Sequence, residues 1–265
     1  MKATKKAYNP EGIEIRFYED EHKYETDNCK DFTSATTFIH KFFPEFDSDT
    51  ISKRYAKKHD RTQQDVLDEW NAINVEANLQ GTNVHLYCEN KLIGKKLPEP
   101  RNEKEVKIRV YADEAIDKLL AQYELVETEK IIFSEKHKIA GTIDLVLRDK
   151  KTGEIVLLDW KTNKEIVLSS YWKKYGFCPV EHLESVNYNH YSLQLNLYRY
   201  LLLKENYYEN VGGMKIVHLK PDGGKWYDIG DMRKEILKMV HYKDNKSEVE
   251  KIKELMRSIR MKSKR

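Results

Sequence analysis

GTIDLVLRDKKTGEIVLLDWK, residues 141–161, decides the fold. It holds two apolar runs, IDLVLR at 143–148 and IVLLDW at 155–160, split by DKKTGE with Gly153, a turn signal. Both faces of each run are apolar, which predicts strands in a sheet covered on both sides. If Arg148 pairs with Ile155, Asp144 falls opposite Asp159. Directly opposed residues of an antiparallel pair share a face, with β-carbons about 5 Å apart. Alternation along the strand puts Lys161 on that face too. Two carboxylates so close repel unless a cation or a proton lies between them. A divalent ion resolves this, and hard oxygen ligands suit magnesium or manganese. The lysine can then orient or help deprotonate a water, or stabilise charge building on a phosphate. A surface hairpin with polar ends gives the same pattern, and from these residues alone both readings stand.

Working outward, residues 125–134 read as a strand and 104–123 as a helix, with Val106, Val110, Ala112, Ala115, Ile116 and Leu119 at helical spacing. Pro98 and Pro100 mark a loop. Residues 51–80 read as helical, with Gly81 interrupting and Thr82 capping a new helix through Leu92. Thr33 or Ser34 caps a helix carrying Phe38, Ile39, Phe42 and Phe43, and 13–26 read as two strands around a polar turn. Downstream come a helix at about 190–204, strands near 214–219 and 225–229 split by Pro221-Asp222-Gly223-Gly224, and a charged closing helix. The expectation is one α/β domain, a central mixed β-sheet flanked by α-helices on both faces. Its parts are an N-terminal hairpin and helix (1–50), a core (81–204) and a C-terminal charged helix (231–265).

With 265 residues, 40% hydrophobic and 34% charged, the chain is expected to be soluble and globular. No apolar run approaches the roughly 18 residues that span a bilayer, so no membrane partner is expected. Scattered Cys29, Cys88 and Cys178 form neither a disulfide framework nor a zinc or iron–sulfur set. Reduced thiols fit a cytoplasm, that of a bacterial host if the chain is phage-encoded. Net charge is only +3. Basic residues nevertheless cluster at Lys53, Arg54, Lys57, Lys58 and Arg61, and again along 251–265, which suits either a nucleic-acid groove or solvated helix faces.

Gly141-Thr142-Ile143-Asp144, followed by Asp159-Trp160-Lys161-Thr162, resembles the core of the PD-(D/E)XK nuclease superfamily, closest to its RecB-like exonuclease branch. That branch implies a histidine on an upstream helix and a Gln-x-x-x-Tyr helix downstream. Both are present, in Gly81-Thr82-Asn83-Val84-His85 and Gln194-Leu195-Asn196-Leu197-Tyr198. Ile143 stands where the superfamily name has proline. The resemblance spans residues 81–198 and implies a restriction-endonuclease-like core. It also implies a metal-dependent DNA exonuclease, similar to phage exonucleases and the mitochondrial genome maintenance exonuclease. Such an enzyme leaves 5′-phosphates, prefers single-stranded ends and serves recombination, repair or replication.

The resemblance implies Mg2+ or Mn2+ held by His85, Asp144, Asp159 and the backbone carbonyl of Trp160. It offers Glu89, one turn after His85, as a further ligand through water; a plain helix-surface acid is the alternative. Glu135, nine residues before Asp144, matches an acid found before the Gly-x-x-Asp motif. Gln194 and Tyr198 share a helix face. There the amide could position Lys161 or a phosphate, and the phenol could hydrogen-bond or stack on DNA; a core aromatic is the alternative for Tyr198. Further DNA contacts are expected from Ser34, Arg54, Thr162, Trp172, Lys173 and Lys174. Aromatics interleaved with lysines over 165–190 suit unpaired bases, or a packed ordered loop. The substrate partner is DNA, single-stranded or with duplex ends, and a replication or recombination protein is a further expected partner. Competing readings are a structure-specific endonuclease (junction resolvase or restriction-like) and a non-catalytic DNA-binding scaffold.

Overall fold

The structure is a computed structural model, and it describes residues 5–245. The basic stretch at 251–265, and the part of the expected closing helix beyond residue 245, lie outside the described residues. The chain opens with β1 (Lys5–Tyr8), β2 (Glu14–Tyr18) and β3 (Lys23–Glu25), a small antiparallel sheet. A two-residue strand β4 (Thr33–Ser34) leads into α1 (Ala35–His40), α2 (Ser48–Lys58), α3 (Gln63–Leu92) and α4 (Glu103–Gln122). Then come β5 (Tyr123–Ser134), β6 (Ile139–Asp149), β7 (Ile155–Lys161), α5 (Asn187–Lys204), β8 (Val211–Lys220) and β9 (Gly223–Asp228). Residues 233–245 are helical.

Each of the four early helices begins where a side chain accepts a backbone N–H: Ser34, Asp47, Thr62 and Asn102. The reading of 51–80 as one helix with a break at Gly81 is corrected on both counts. The break falls at 59–62, where Thr62 caps a new helix, and α3 runs unbroken through Gly81. Gly81 serves packing instead: a β-carbon there would lie 3.3 Å from Oγ1 of Thr162, so α3 and the end of β7 meet closely.

The large sheet runs β4-β6-β7-β8-β9 with β5 on the other edge of β6. It is mixed: β4 with β6 and β7 with β8 are parallel, the remaining pairs antiparallel. The β6–β7 register runs Arg148↔Ile155, Leu147↔Val156, Val146↔Leu157, Leu145↔Leu158, as the turn signal predicts. Residues of β7 alternate between two buried layers. Ile155 and Leu157 pack towards α1 and α5, Val156, Leu158 and Trp160 towards α3 and α4. The expected architecture, a mixed sheet with helices on both faces, is therefore present.

One detail of the topology makes room for a site. β5 covers one edge of β6 along most of its length, so β4 and β7 share the other edge. β4 takes Ile139 and Ala140, and β7 begins at Leu145. Residues 141–144 lie in the gap between them.

Candidate active site

Asp144 sits at the mouth of that gap. One residue short of the expected Asp144–Asp159 pair the ladder ends, and the Asp144 carboxylate accepts the Trp160 N–H at 2.8 Å. Across β6, the β5 register sets Glu129 opposite Asp144, between the pairs Thr128↔Leu145 and Lys130↔Ile143. Glu129 has a φ of +49°, a left-handed conformation uncommon for a residue with a side chain and often found at functional sites. From the other layer, α3 brings His85, whose Nδ1 is 3.3 Å from the Asp144 carboxylate. Ligand atoms of His85, Glu129 and Asp144 all lie within 4.8 Å of one another. An imidazole and two carboxylates at that spacing fit a divalent cation that accepts oxygen and nitrogen donors.

Electrostatics agree with that reading. Burial first, and then the neighbouring Asp159, push the Asp144 carboxyl well above its ordinary range. Burial, followed by Asp144, raises Glu129. Burial and the Lys161 charge lower His85, so its imidazole is neutral near pH 7 with a lone pair to give. Its hydrogen bond to the Trp160 backbone holds the ring against the end of β7. Carboxylates that are hard to ionise together are those that gain most from a cation.

Asp159 stands beside this triplet, 5% exposed and ion-paired with Lys161. The Lys161 ammonium also lies 4.7 Å from the ring centre of Tyr191. Tyr191 escaped the sequence reading, although it lies one helical turn before Gln194 on α5. Gln194 donates to Oγ1 of Thr36 at 2.9 Å and to the Tyr198 hydroxyl at 3.1 Å. It lines the main cavity and also a second one, of about 370 Å³, that holds Lys161, His190 and Tyr191. Tyr198 is 4% exposed, which leaves no ring face open for stacking on DNA; it fills the space over Gly141.

The main cavity, about 490 Å³, is lined by His85, Glu89, Glu129, Asp144, Gln194 and Ser34, among others. Glu89 receives a long contact from Thr128, at 3.5 Å, and adds negative charge near Asp144. Glu135 is placed elsewhere. It stands in the β5–β6 turn, about 16 Å along β6 from Asp144 by strand rise, and accepts from Thr26. Glu129 takes the place expected for it. The hairpin register would have found Glu129, since a turn at 135–138 sets residue 129 opposite 144.

The proposed DNA contacts scatter. Ser34 lines the main cavity and caps α1, accepting the Thr37 N–H at 3.1 Å. Thr162 lies against Gly81, and Arg54 is on the exposed side of α2. In the 165–190 segment Trp172 is 80% exposed, Lys174 is exposed, and the Lys173 ammonium is engaged by Glu184 at 2.8 Å. The segment is pinned where the Phe177 N–H donates to the Phe42 carbonyl, at 2.7 Å. Neither Arg54 nor Trp172 lines the cavity that holds the acids. Among the described residues, no helix is long and apolar enough to cross a membrane.

Among solved structures the chain is similar to the crystal structure of SSO0001, at 13% identity and a TM-score of 0.35, over 81% of this chain and 75% of that one. Among curated proteins none matches significantly. The model of the PD-(D/E)XK nuclease superfamily matches residues 17–263, which takes in every strand of the large sheet, the His85 helix and the Gln194 helix. With acids 144 and 159 and Lys161 gathered at the gap in that sheet, the chain belongs to the PD-(D/E)XK nuclease superfamily, whose members are metal-dependent nucleases.

Proposed function

We propose that this nuclease is a DNA exonuclease of the RecB-like kind, working from single-stranded ends with Mg2+ or Mn2+. One observation carries the reading. His85, Glu129 and Asp144, from three separate elements, converge within 4.8 Å beside the Asp159–Lys161 pair, inside a cavity of about 490 Å³. That volume is in the range of small-molecule sites, room for a nucleotide against the acids. His85, Glu129 and Asp144 would hold the ion, with Asp159 and the Trp160 carbonyl at its edge.

When bound, the ion supplies charge neutralisation at a phosphate and acidifies a water. The protein supplies placement. Lys161, fixed by Asp159 and Tyr191, orients the attacking water and balances charge on the phosphate. Gln194, whose two amide hydrogens go to Thr36 and Tyr198, braces the cavity wall between α1 and α5. Asp144, held by the Trp160 N–H, keeps its carboxylate aimed into the cavity. The water oxygen bonds to phosphorus, the bond to the 3′-oxygen breaks, and that oxygen takes a proton, leaving a 5′-phosphate on the product.

The test is digestion of end-labelled single- and double-stranded DNA, linear and circular, with Mn2+, Mg2+ or chelator. Loss of linear single strands with metal, and survival of circles, is the expected result. Nicking of closed circles would turn the assignment to an endonuclease. No hydrolysis of any substrate with either metal would end the enzymatic reading.

A further inference from the structure

The small N-terminal sheet forms one wall of the main cavity. Lys5, Phe17, Glu19, His22 and Tyr24 all line it, opposite His85 and Asp144. The Lys5 ammonium reaches across to the Glu129 carboxylate, at 3.2 Å. Glu129 belongs to the three-residue cluster, so a cation from a separate sheet stands at the edge of the candidate metal centre. We propose that Lys5 is a phosphate-binding residue for an unpaired DNA strand, and that the β1–β3 sheet is the wall against which that strand lies. The proposal rests on the nuclease reading above.

Two lysines flank the cluster, and they differ in availability. The Lys161 side chain is 18% exposed and committed to Asp159 and the Tyr191 ring. The Lys5 side chain is 42% exposed and lines the cavity, where it pairs with Glu129 itself. A phosphate brought against the cluster meets Lys5 within about one hydrogen-bond length of Glu129, and meets it as a point charge. The wall is also fixed in place. Tyr24 and Thr142 share a hydroxyl–hydroxyl hydrogen bond of 3.0 Å, two residues from Asp144. Ile15, Phe17 and Tyr24 pack on Ile131, Phe133 and Ala140 of β5 and β6. Lys5 is therefore held on a strand of a sheet that packs against β5 and β6.

The same wall offers one exposed ring. His22 is exposed, and its ring lies edge-on to Phe17 and Tyr24 at 5.4 and 6.1 Å. An exposed ring beside an ammonium is the pairing that single-strand sites use, one for a base and one for its phosphate. Glu19 shares the cavity, so attraction here is local to one phosphate and not a broad basic field.

The experiment is equilibrium binding of a fluorescent single-stranded oligonucleotide by the full chain in Ca2+, over a salt series, with Mn2+ titration calorimetry alongside. Lys5→Ala should weaken binding severalfold and flatten the slope of log K on log[salt] by about 0.7, one phosphate contact on a single strand. Lys5→Arg should restore the slope, and His22→Ala should weaken binding with the slope unchanged. Mn2+ affinity of Lys5→Ala should match or exceed that of the parent protein, because a competing cation has been removed from Glu129. An unchanged slope in Lys5→Ala, with altered Mn2+ affinity alone, would overturn the proposal and leave the nuclease reading intact. If the parent protein binds no oligonucleotide and hydrolyses none, both fall together.

Discussion

The Asp144 carboxylate accepts a hydrogen bond from the Trp160 backbone at 2.8 Å, where a ladder pair between β6 and β7 would otherwise continue. This one bond replaces the expected side-by-side meeting of Asp144 with Asp159. Asp144 stays aimed at His85 and Glu129, while Asp159 turns to Lys161. Asp144→Asn keeps an acceptor for the Trp160 N–H but loses the charge. Mn2+ binding by calorimetry should disappear and hydrolysis should fall on the order of 100-fold or more. Melting in chelator should stay level or rise, since a carboxylate that is costly to ionise has been removed.

Raised carboxyls set a pH dependence whose sign can be worked out. Asp144 ionises less readily folded than unfolded, so its favourable contribution is complete below the ordinary value of 3.8 and is lost as pH rises towards the folded value. Glu129 shifts in the same direction. In chelator, wild-type melting should fall relative to Asp144→Asn as pH is raised over that window. Metal binding releases the held proton, so Mn2+ affinity should climb with pH over the same range. A difference that stays flat from pH 5 to about 8 would remove the assigned burial of Asp144.

Lys161 and Asp159 form an ion pair with side chains only 18% and 7% exposed. Removing one partner leaves a charge with little water. Lys161→Ala should cost about 3 kcal/mol of stability in chemical unfolding, and Asp159→Asn with Lys161→Met should recover most of it. Activity should not recover in the double variant. The single Lys161→Ala change should lower the hydrolysis rate by roughly 100-fold or more while Mn2+ affinity changes only a few-fold.

A β-carbon at Gly141 would lie 2.6 Å from Cε1 of Tyr198, with the hydroxyl and the Ala35 β-carbon close behind. Gly141→Ala should therefore cost about 1–3 kcal/mol. Tyr198→Leu in the same chain should relieve much of that loss. Equal melting temperatures for wild type and Gly141→Ala would show that the wall of the cavity yields.

The β6–β7 hairpin was legible because both its faces are buried and its turn is short, so periodicity and register left little choice. The helix at 103–122 was legible for the same reason, its apolar positions recurring at one period. Glu129 was not, because its position depends on where β5 turns into β6. The polar residues EKHK at 135–138 were not taken as that turn. Gly81 misled for a different reason. A glycine in a helical pattern signals either a break or a close neighbour, and the neighbour, Thr162, is distant in sequence. β1 has only the polar sequence KKAY and pairs through its backbone with β2, so nothing in its composition announced a strand. Lys5, which meets Glu129, was hidden with it.

The order of synthesis gives the N-terminal wall a particular vulnerability. Ile15, Phe17 and Tyr24 find their floor on Ile131, Phe133 and Ala140, more than a hundred residues later in the chain. A nascent polypeptide emerging amino end first carries these three apolar side chains uncovered until the β5–β6 hairpin has been made. Their contact is distant in sequence and therefore slow to form, so this wall closes late and stays exposed to aggregation until the β5–β6 hairpin is in place.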